Sequence, residues 1–396
     1  MNPSAEIILR RGKEESLLRF HPWIFSGAIQ QVEGDPDEGD LVTVLDSGRN
    51  FIARGHCQVG SISVRVLTFR DEAIDDAWWE NRIRKAYELR RALGLAGDPG
   101  TTCYRLIHGE GDGLPGLIVD IYGSTAVLQA HSVGMFRNRD AIGGAIRTVY
   151  GERIKAIFDK SSGTLPYKSG INAEDEYLYG ASSDEPVLEN GNRFRVNWER
   201  GQKTGFFIDQ RESRALVARY ARGCKVLNTF SYTGGFSVYA LQGGALCVDS
   251  VDSSQRAVDL AQDNVELNFG IEAPHRAIAR DAFEFLKEMG KDEYDLVILD
   301  PPAFAKHHKV LGNALKGYQR LNARAIAQIA PGGILFTFSC SQAVSREHFR
   351  NAVFTAAAIA GRNVRILHQL TQPADHPVNI YHPEGEYLKG LVLYVE

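Results

Sequence analysis

Cys340 follows the apolar, β-type run GILFTFS, and Asp300 closes another, LVIL, 40 residues earlier, with Pro301 and Pro302 directly after the carboxylate. Two successive prolines stiffen the backbone and remove two N–H donors. The carbonyls and the Asp300 carboxylate are left to accept from the amino group of a planar ring, and Phe304 is spaced to stack on it. A nucleobase swung out of its helix is such a ring. By itself an Asp-Pro-Pro-x-Phe site suits methylation of an exocyclic purine nitrogen, which needs no covalent catalyst. The cysteine suits a harder reaction. Carbon 5 of cytosine is not nucleophilic, so a thiolate must first add at carbon 6 and turn the ring into an enamine. An acid near Asp300 assists at the ring nitrogen, and a base later removes the carbon-5 proton. Taken alone, Cys340 reads equally well as a small buried residue, which is the reading given to Cys57, Cys103, Cys224 and Cys247. As a nucleophile, its thiol needs neighbouring Lys or Arg to bring its pKa down from about 8.5.

A second constellation reads as a nucleoside site. The strand KVLNT runs into the turn FSYTGG, and the next strand ends at Asp252, 18 residues after Gly234. Glycines there allow a tight turn and close ligand approach, and an acid at that place accepts both hydroxyls of a ribose. The turn lacks the full G-x-G-x-x-G, which argues against a pyrophosphate on the helix N-terminus. S-adenosylmethionine, a nucleoside without phosphates, fits better. Its contacts are expected from Asn228, Phe230, Ser231, Tyr232, Gly234, Asp252, Ser253, Asp281 and Ala282, with Asp281 meeting the adenine amino group or capping a helix.

These residues need a parallel sheet to hold them. From about residue 190 strands alternate with helices: KVLNTF, GGFSVYALQGG, ALCVDSVD, then SSQRAVDLAQDNVELNFG with Ser253 or Ser254 as N-cap and Gly270 as stop. YDLVILD, GILFTFS, VRILHQL and YLKGLVLYVE complete the sheet. The reading is α/β, a Rossmann-like C-terminal domain over 186–396. Residues 1–72, with short alternating runs such as LVTVLD and ISVRVLTF between Gly/Asp clusters, form a small β domain. Residues 73–185, opening with the helical pattern of IDDAWWENRIRKAYELRRALGL, form a middle α+β domain.

Composition narrows the functional classes. At 396 residues there is room for several cores. No run of about 18 apolar residues and no signal-peptide pattern is present, so the chain is expected in the cytoplasm and off the membrane. Five scattered cysteines with no C-x-x-C pair speak against a disulfide scaffold or a zinc site, and no metal is expected. A net charge of −4 gives no global polyanion footprint, but two local ones exist. Residues 192–222 hold eight Lys/Arg, Arg211 among them, against three acids, and no acid occurs between Asp300 and Glu347, where Lys306 and Lys309 lie. Both flank the candidate chemistry, which points to RNA.

Several motifs, in order along nearly the whole chain, resemble the RlmI-type 23S rRNA cytosine-5 methyltransferases: KEESLLRFHPWIFSGAI, GEGDGLPGLIVDIYG, GQKTGFFIDQR, LNTFSYTGGFSV, VDSSQRAVDLAQDNVELN, LDPPAFAK and TFSCS. The resemblance implies an N-terminal PUA-like RNA-binding domain, a middle domain and a Rossmann-like methyltransferase domain that uses S-adenosylmethionine. It implies Cys340 as nucleophile, Asp300 as the acid, and Asp252 and Asp281 as ribose and adenine contacts. Lys203, Asp209 and Gln210 of QKTGFFIDQR would line the cofactor crevice; Pro301, Pro302, Phe304, Lys306 and Arg211 would meet the base or the RNA. The implied partner is 23S rRNA, and a homodimer is allowed. The first 70 residues depart from this picture, with eight Lys/Arg against nine Asp/Glu. Rival readings are purine N-methylation and a non-catalytic RNA-binding assembly factor.

Overall fold

A computed structural model describes residues 5–166, 170–305 and 310–396. They fall into two compact units. One holds the chain up to Leu188 with Val196–Ile208 and Ala374–Gly385; the other holds Glu189–Arg195, Asp209–Pro373 and Glu386–Glu396.

The first unit contains two sheets. The six-stranded one runs Trp23–Phe25, Ile62–Thr68, Phe51–Cys57, Leu41–Leu45, Ala5–Leu9, Ile29–Glu33, antiparallel except where Ala5–Leu9 meets Leu41–Leu45. The period-two pattern of LVTVL and its neighbours turns Val42, Val44, Val64, Val66, Ile7 and Leu9 into one core. The five-stranded sheet is Glu176–Tyr179, Ala156–Asp159, Thr125–Ala130, Leu117–Tyr122, Cys103–His108. Helices Asp76–Ala92 and Arg139–Tyr150 pack on each other, sharing Trp79, Ile83, Ile142 and Ile146 with that sheet's core. Asp75 caps the first by accepting from the Trp78 amide at 2.9 Å. The late segment 374–385 is tied into this unit by polar contacts. The buried Arg90 donates to Asp112 at 2.8 Å and to the Asp375 carbonyl at 2.8 Å, and the Arg105 amide donates to the Asp375 carboxylate at 3.0 Å.

The second unit is built on seven strands: β1 (Lys225–Thr229), β2 (Cys247–Asp252), β3 (His275–Ala279), β4 (Leu296–Leu299), β5 (Gly333–Ser339), β6 (Val364–Leu370) and β7 (Lys389–Val395). Their order is β3-β2-β1-β4-β5-β7-β6, and β7 is antiparallel to both its neighbours. Helices cover both faces, so the central strands read as continuous apolar runs. Leu227, Val297, Leu299 and Leu335 face Leu321, Ile326 and Phe349, while Val226, Leu296, Ile298, Phe336 and Phe338 face Phe236 and Ala240. Each such side chain contributes roughly 1.5–3 kcal/mol by burial. The chain order reverses between β1 and β4, which leaves a crevice beyond their carboxyl ends. Among the described residues no helix is long and apolar enough to cross a membrane.

Candidate active site

Register places the candidate residues along one edge. Thr229 pairs with Val251 and with Leu299, and Leu299 pairs with Thr337. The next residue on each strand, Phe230, Asp252, Asp300 and Phe338, therefore lies in one row at the carboxyl end of the sheet, and Cys340 comes two positions later.

On the β1–β3 side the chain leaves Thr229 in a strained turn. Phe230, Tyr232 and Gly234 have φ of 55, 43 and 75°. For the two non-glycine residues this left-handed conformation costs roughly 1–2 kcal/mol each. Hydrogen bonds hold it: the Ser231 amide to the Val251 carbonyl at 3.1 Å, the Gly234 amide to the Ser231 carbonyl at 2.9 Å, and the Tyr232 amide to Asp252 Oδ2 at 3.0 Å. The other carboxylate oxygen of Asp252 accepts from the Ser254 amide at 2.9 Å. Two backbone donors thus orient the carboxylate, and each oxygen keeps a lone pair for a ligand hydroxyl. The buried Ser231 hydroxyl has no hydrogen-bond partner among the described residues. A fixed carboxylate and an unsatisfied hydroxyl beside a turn free of side-chain cations are a donor set that fits an uncharged ribose.

Gly234 is demanded by protein packing: a Cβ on it would meet Ala261 Cβ at 2.9 Å. The close approach is thus to the Gln255–Phe269 helix, where the sequence had pointed to the ligand. Ser254, not Ser253, caps that helix, accepting from the Ala257 amide, and Ser253 is exposed. Asp281 caps the Ala282–Glu288 helix through the Glu284 amide at 3.0 Å and is itself exposed, while Ala282 is buried. Asn228 is buried, and its Oδ1 has no hydrogen-bond partner among the described residues. Its amide donates to Ser237 Oγ at 2.9 Å, within a buried chain that continues through Ser250 to His275 at 2.6 and 2.7 Å. The side chain therefore ties β1 to the Gly235–Gln242 helix beneath the turn. Burial lowers the pKa of His275 to about 4, so this network holds it neutral.

Asp209 and Gln210 form a short 3-10 turn before the Arg211–Tyr220 helix. Asp209 accepts from the Tyr387 hydroxyl at 2.7 Å, and the buried Gln210 Oε1 has no partner among the described residues. Lys203 belongs to the first unit, with its Nζ 4.4 Å from the centroid of the Phe207 ring. Arg211, expected to meet the base or the RNA, is only 1 % exposed and lies at the start of its helix. Arg214, counted in the same basic stretch, is also internal and pairs with Glu189 at 2.6 and 2.8 Å. Lys306 and Lys309 lie outside the described residues.

On the β4–β5–β7 side, Asp300 and Cys340 are half-buried, Pro301 is buried and Pro302 exposed. The Phe304 ring lies 4.6 Å from Tyr318 and 6.1 Å from Phe283, so part of the surface expected to stack on a base is already occupied. Tyr318, buried in the Leu311–Gln328 helix, joins Ser339 and Ser341 with hydroxyl contacts of 3.0 Å to each. These bonds pin the chain on either side of Cys340. Lys389, at the start of β7, donates to the Ser341 carbonyl at 2.6 Å. Burial, against the opposing charge of Cys340, lowers its pKa to about 8. Sequence reasoning overlooked Lys389 and Tyr318. The available signal was a lysine opening the otherwise apolar strand KGLVLYV. Burial raises the thiol pKa of Cys57, Cys224 and Cys247, and Cys103 is buried, as befits packing residues. A separate cavity of about 630 Å³, lined by Phe283, Leu286, Arg320, Arg324 and Ile359 among others, contains none of the candidate residues. Among the described residues, no group of three His, Cys, Asp or Glu is placed to hold a metal ion.

A family profile described as S-adenosylmethionine-dependent methyltransferase matches residues 166–381, and a PUA-like domain profile matches 7–69. Ribosomal RNA large subunit methyltransferase I of Aeromonas hydrophila is 43% identical, covering 98% of this chain and 99% of the relative. The protein of the same name from Klebsiella pneumoniae is 41% identical, with 98% of each covered. Among solved structures, a proposed SAM-dependent methyltransferase from Streptococcus mutans superposes with a TM-score of 0.82 at 23% identity, covering 98% of this chain and 100% of that one. A proposed methyltransferase solved in complex with SAH gives 0.83 at 23% identity, with the same coverage. At that identity the likeness is one of fold.

Proposed function

Because the chain belongs to the S-adenosylmethionine-dependent methyltransferase family, with the ribosomal RNA large subunit methyltransferase I proteins as full-length relatives, we propose that it methylates carbon 5 of a cytosine in 23S rRNA through a covalent Cys340 adduct. The observation that carries this reading is the placing of a thiol and a carboxylate, Cys340 and Asp300, at the ends of adjacent parallel strands beside Asp252.

S-adenosylmethionine, when bound, supplies a methyl group on a sulfonium, an electrophile that needs no further activation. Asp252 takes the ribose hydroxyls, and the strained Phe230–Gly234 turn, with the Asp281 end of the next helix, shapes the rest of that site. Cys340 Sγ, as thiolate, adds to carbon 6 of the cytosine; the carbon 5–carbon 6 π electrons move into the ring, and carbon 5 becomes nucleophilic. Asp300, as the acid, donates to ring nitrogen 3, which takes up the displaced electrons, while the carbonyls of the donor-free Pro301–Pro302 backbone accept from the exocyclic amine. After methyl transfer a base takes the carbon-5 proton, its bonding pair re-forms the carbon 5–carbon 6 double bond, Sγ leaves as the thiolate, and nitrogen 3 returns its proton to Asp300. The PUA-like domain is the natural second RNA contact, and the setting is the bacterial cytoplasm, where rRNA is made.

Purified protein, radiolabelled S-adenosylmethionine and unmodified 23S rRNA test this. The expected product after nuclease digestion is 5-methylcytidine, and Cys340→Ala yields none. A methyl group on a purine nitrogen, or undiminished transfer by Cys340→Ala, would overturn the covalent mechanism.

A further inference from the structure

We propose that Lys389 is a positioning residue for Cys340: its ammonium, anchored on the carbonyl of Ser341, stands beside the thiol and holds it as the thiolate. This deepens the proposed function and rests on its assignment of Cys340 as nucleophile.

Three observations converge. First, register pairs Lys389 with Ser339, the last residue of β5, so the side chain starts level with the strand end and its Nζ reaches forward to the Ser341 carbonyl, 2.6 Å away, just past the thiol. Second, the lysine is 5 % exposed, and among the described residues no carboxylate forms an ion pair with it. A buried ammonium satisfied by a neutral carbonyl alone is costly; a thiolate beside it supplies the missing negative charge. Third, Cys340 lies within electrostatic reach of Lys389 and Tyr318, so that a thiolate there would raise the pKa of each.

The surrounding groups are consistent with a pair of this kind. From the Arg346–Ala360 helix, Arg346 adds a positive charge that also favours a thiolate, although its guanidinium is engaged by Glu386. From the Leu311–Gln328 helix comes Tyr318, neutral and raised further by burial. Asp300, at the end of the neighbouring β4, is the carboxyl group on that side; as the proton donor of the proposed mechanism it brings no charge against the thiolate. On ionisation the Sγ–H proton leaves to solvent while Lys389 keeps its own three, so the pair forms with no other acid or base consumed. Burial brings the Lys389 pKa down to about 8, so the support is present below that pH and is lost above it.

The test is the pH dependence of Cys340 alkylation by iodoacetamide in the full chain, read by peptide mass spectrometry so that the other four cysteines do not interfere. In the unsubstituted protein the midpoint is expected below the ordinary thiol value of about 8.5. Lys389→Met is expected to raise it by about one unit, which slows alkylation at pH 7 about tenfold and lowers kcat similarly while S-adenosylmethionine affinity stays the same. Lys389→Arg restores much of the loss. A midpoint at or above 8.5 in the unsubstituted protein overturns the proposal without recourse to any variant, as does an unmoved midpoint in a folded Lys389→Met. The alkylation reading is independent of the methyl acceptor. If Lys389→Met moves the midpoint while Cys340→Ala still methylates, the lysine–thiol pair stands and the covalent mechanism falls.

Discussion

The two halves of the sheet's carboxyl edge solve opposite problems. Over β1–β3, the candidate ligand groups are held by the backbone: Asp252 accepts from the amides of Tyr232 and Ser254, Asp281 from that of Glu284, and the turn between them is fixed by amide-to-carbonyl bonds. Over β4, β5 and β7, side chains do the holding: Tyr318 hydroxyl on Ser339 and Ser341, Lys389 on the carbonyl beside the thiol, Phe304 on Tyr318. Backbone amides neither titrate nor rotate, which suits the task proposed for this half, presenting constant acceptors to a nucleoside. In the role proposed for it, as nucleophile and then leaving group, the thiol needs partners whose charge responds to it, and only side chains provide that.

This contrast separates the effects of substitution. The largest is expected from Cys340→Ala: methyl transfer to rRNA falls by about a thousandfold or more, because no other group can make the carbon-6 bond. Calorimetry should find its S-adenosylmethionine affinity unchanged. Asp252→Ala is expected to do the reverse. Removing a charged acceptor of two hydroxyls costs about 1.5–3 kcal/mol, a 10- to 100-fold weaker cofactor, with Cys340 alkylation as before. A loss of cofactor affinity in the first variant, or of thiol reactivity in the second, would mean that the halves are coupled.

Gly234→Ala probes what the turn itself requires. Its φ of 75° and the 2.9 Å approach to Ala261 predict destabilisation of about 1–3 kcal/mol in urea unfolding. An unchanged midpoint would show that the helix gives way and that the glycine is not needed for packing.

The smallest effect is a pH dependence confined to the β1–β3 half. His275 has its pKa lowered from 6.5 to about 4 by burial. Between those values the unfolded chain takes up a proton that the folded one refuses, so its contribution to stability is complete above about pH 6.5 and declines as pH falls toward 4. Urea midpoints at pH 7 and pH 5 measure this. In His275→Gln, part of the difference should vanish. His56 and His131 of the first unit, likewise lowered to about 4, account for a further share there.

Local signals in the chain were strong wherever structure is set locally. Ser254 and Gly270 bound their helix as cap and stop because their chemistry acts within a few residues. The apolar runs of β1, β4 and β5 were visible because a strand covered on both faces can carry almost nothing else. From those runs alone, Asp252, Asp300 and Cys340 could be assigned to strand ends, and hence to one edge.

Pairing across long stretches of chain was invisible. The basic stretch at 192–222 counts as a surface feature until Arg214 is seen on Glu189 and Arg211 is found buried. That Asn228 gives its amide to Ser237 is equally absent from the local pattern. Residues 374–385, deep in the C-terminal part, return to the first unit through Asp375.

The amino-acid sequence by itself determined the central apolar strands of the second unit, where they end and which reactive groups stand there, since hydrophobic period and capping are read from neighbours. Only the tertiary structure decided what surrounds Cys340. Lys389 is 49 residues away along the chain and reaches the Ser341 carbonyl, next to the thiol in sequence, because β7 folds back antiparallel to β5. The charge that a cysteine feels depends on distance through space, and no spacing in the chain encodes that.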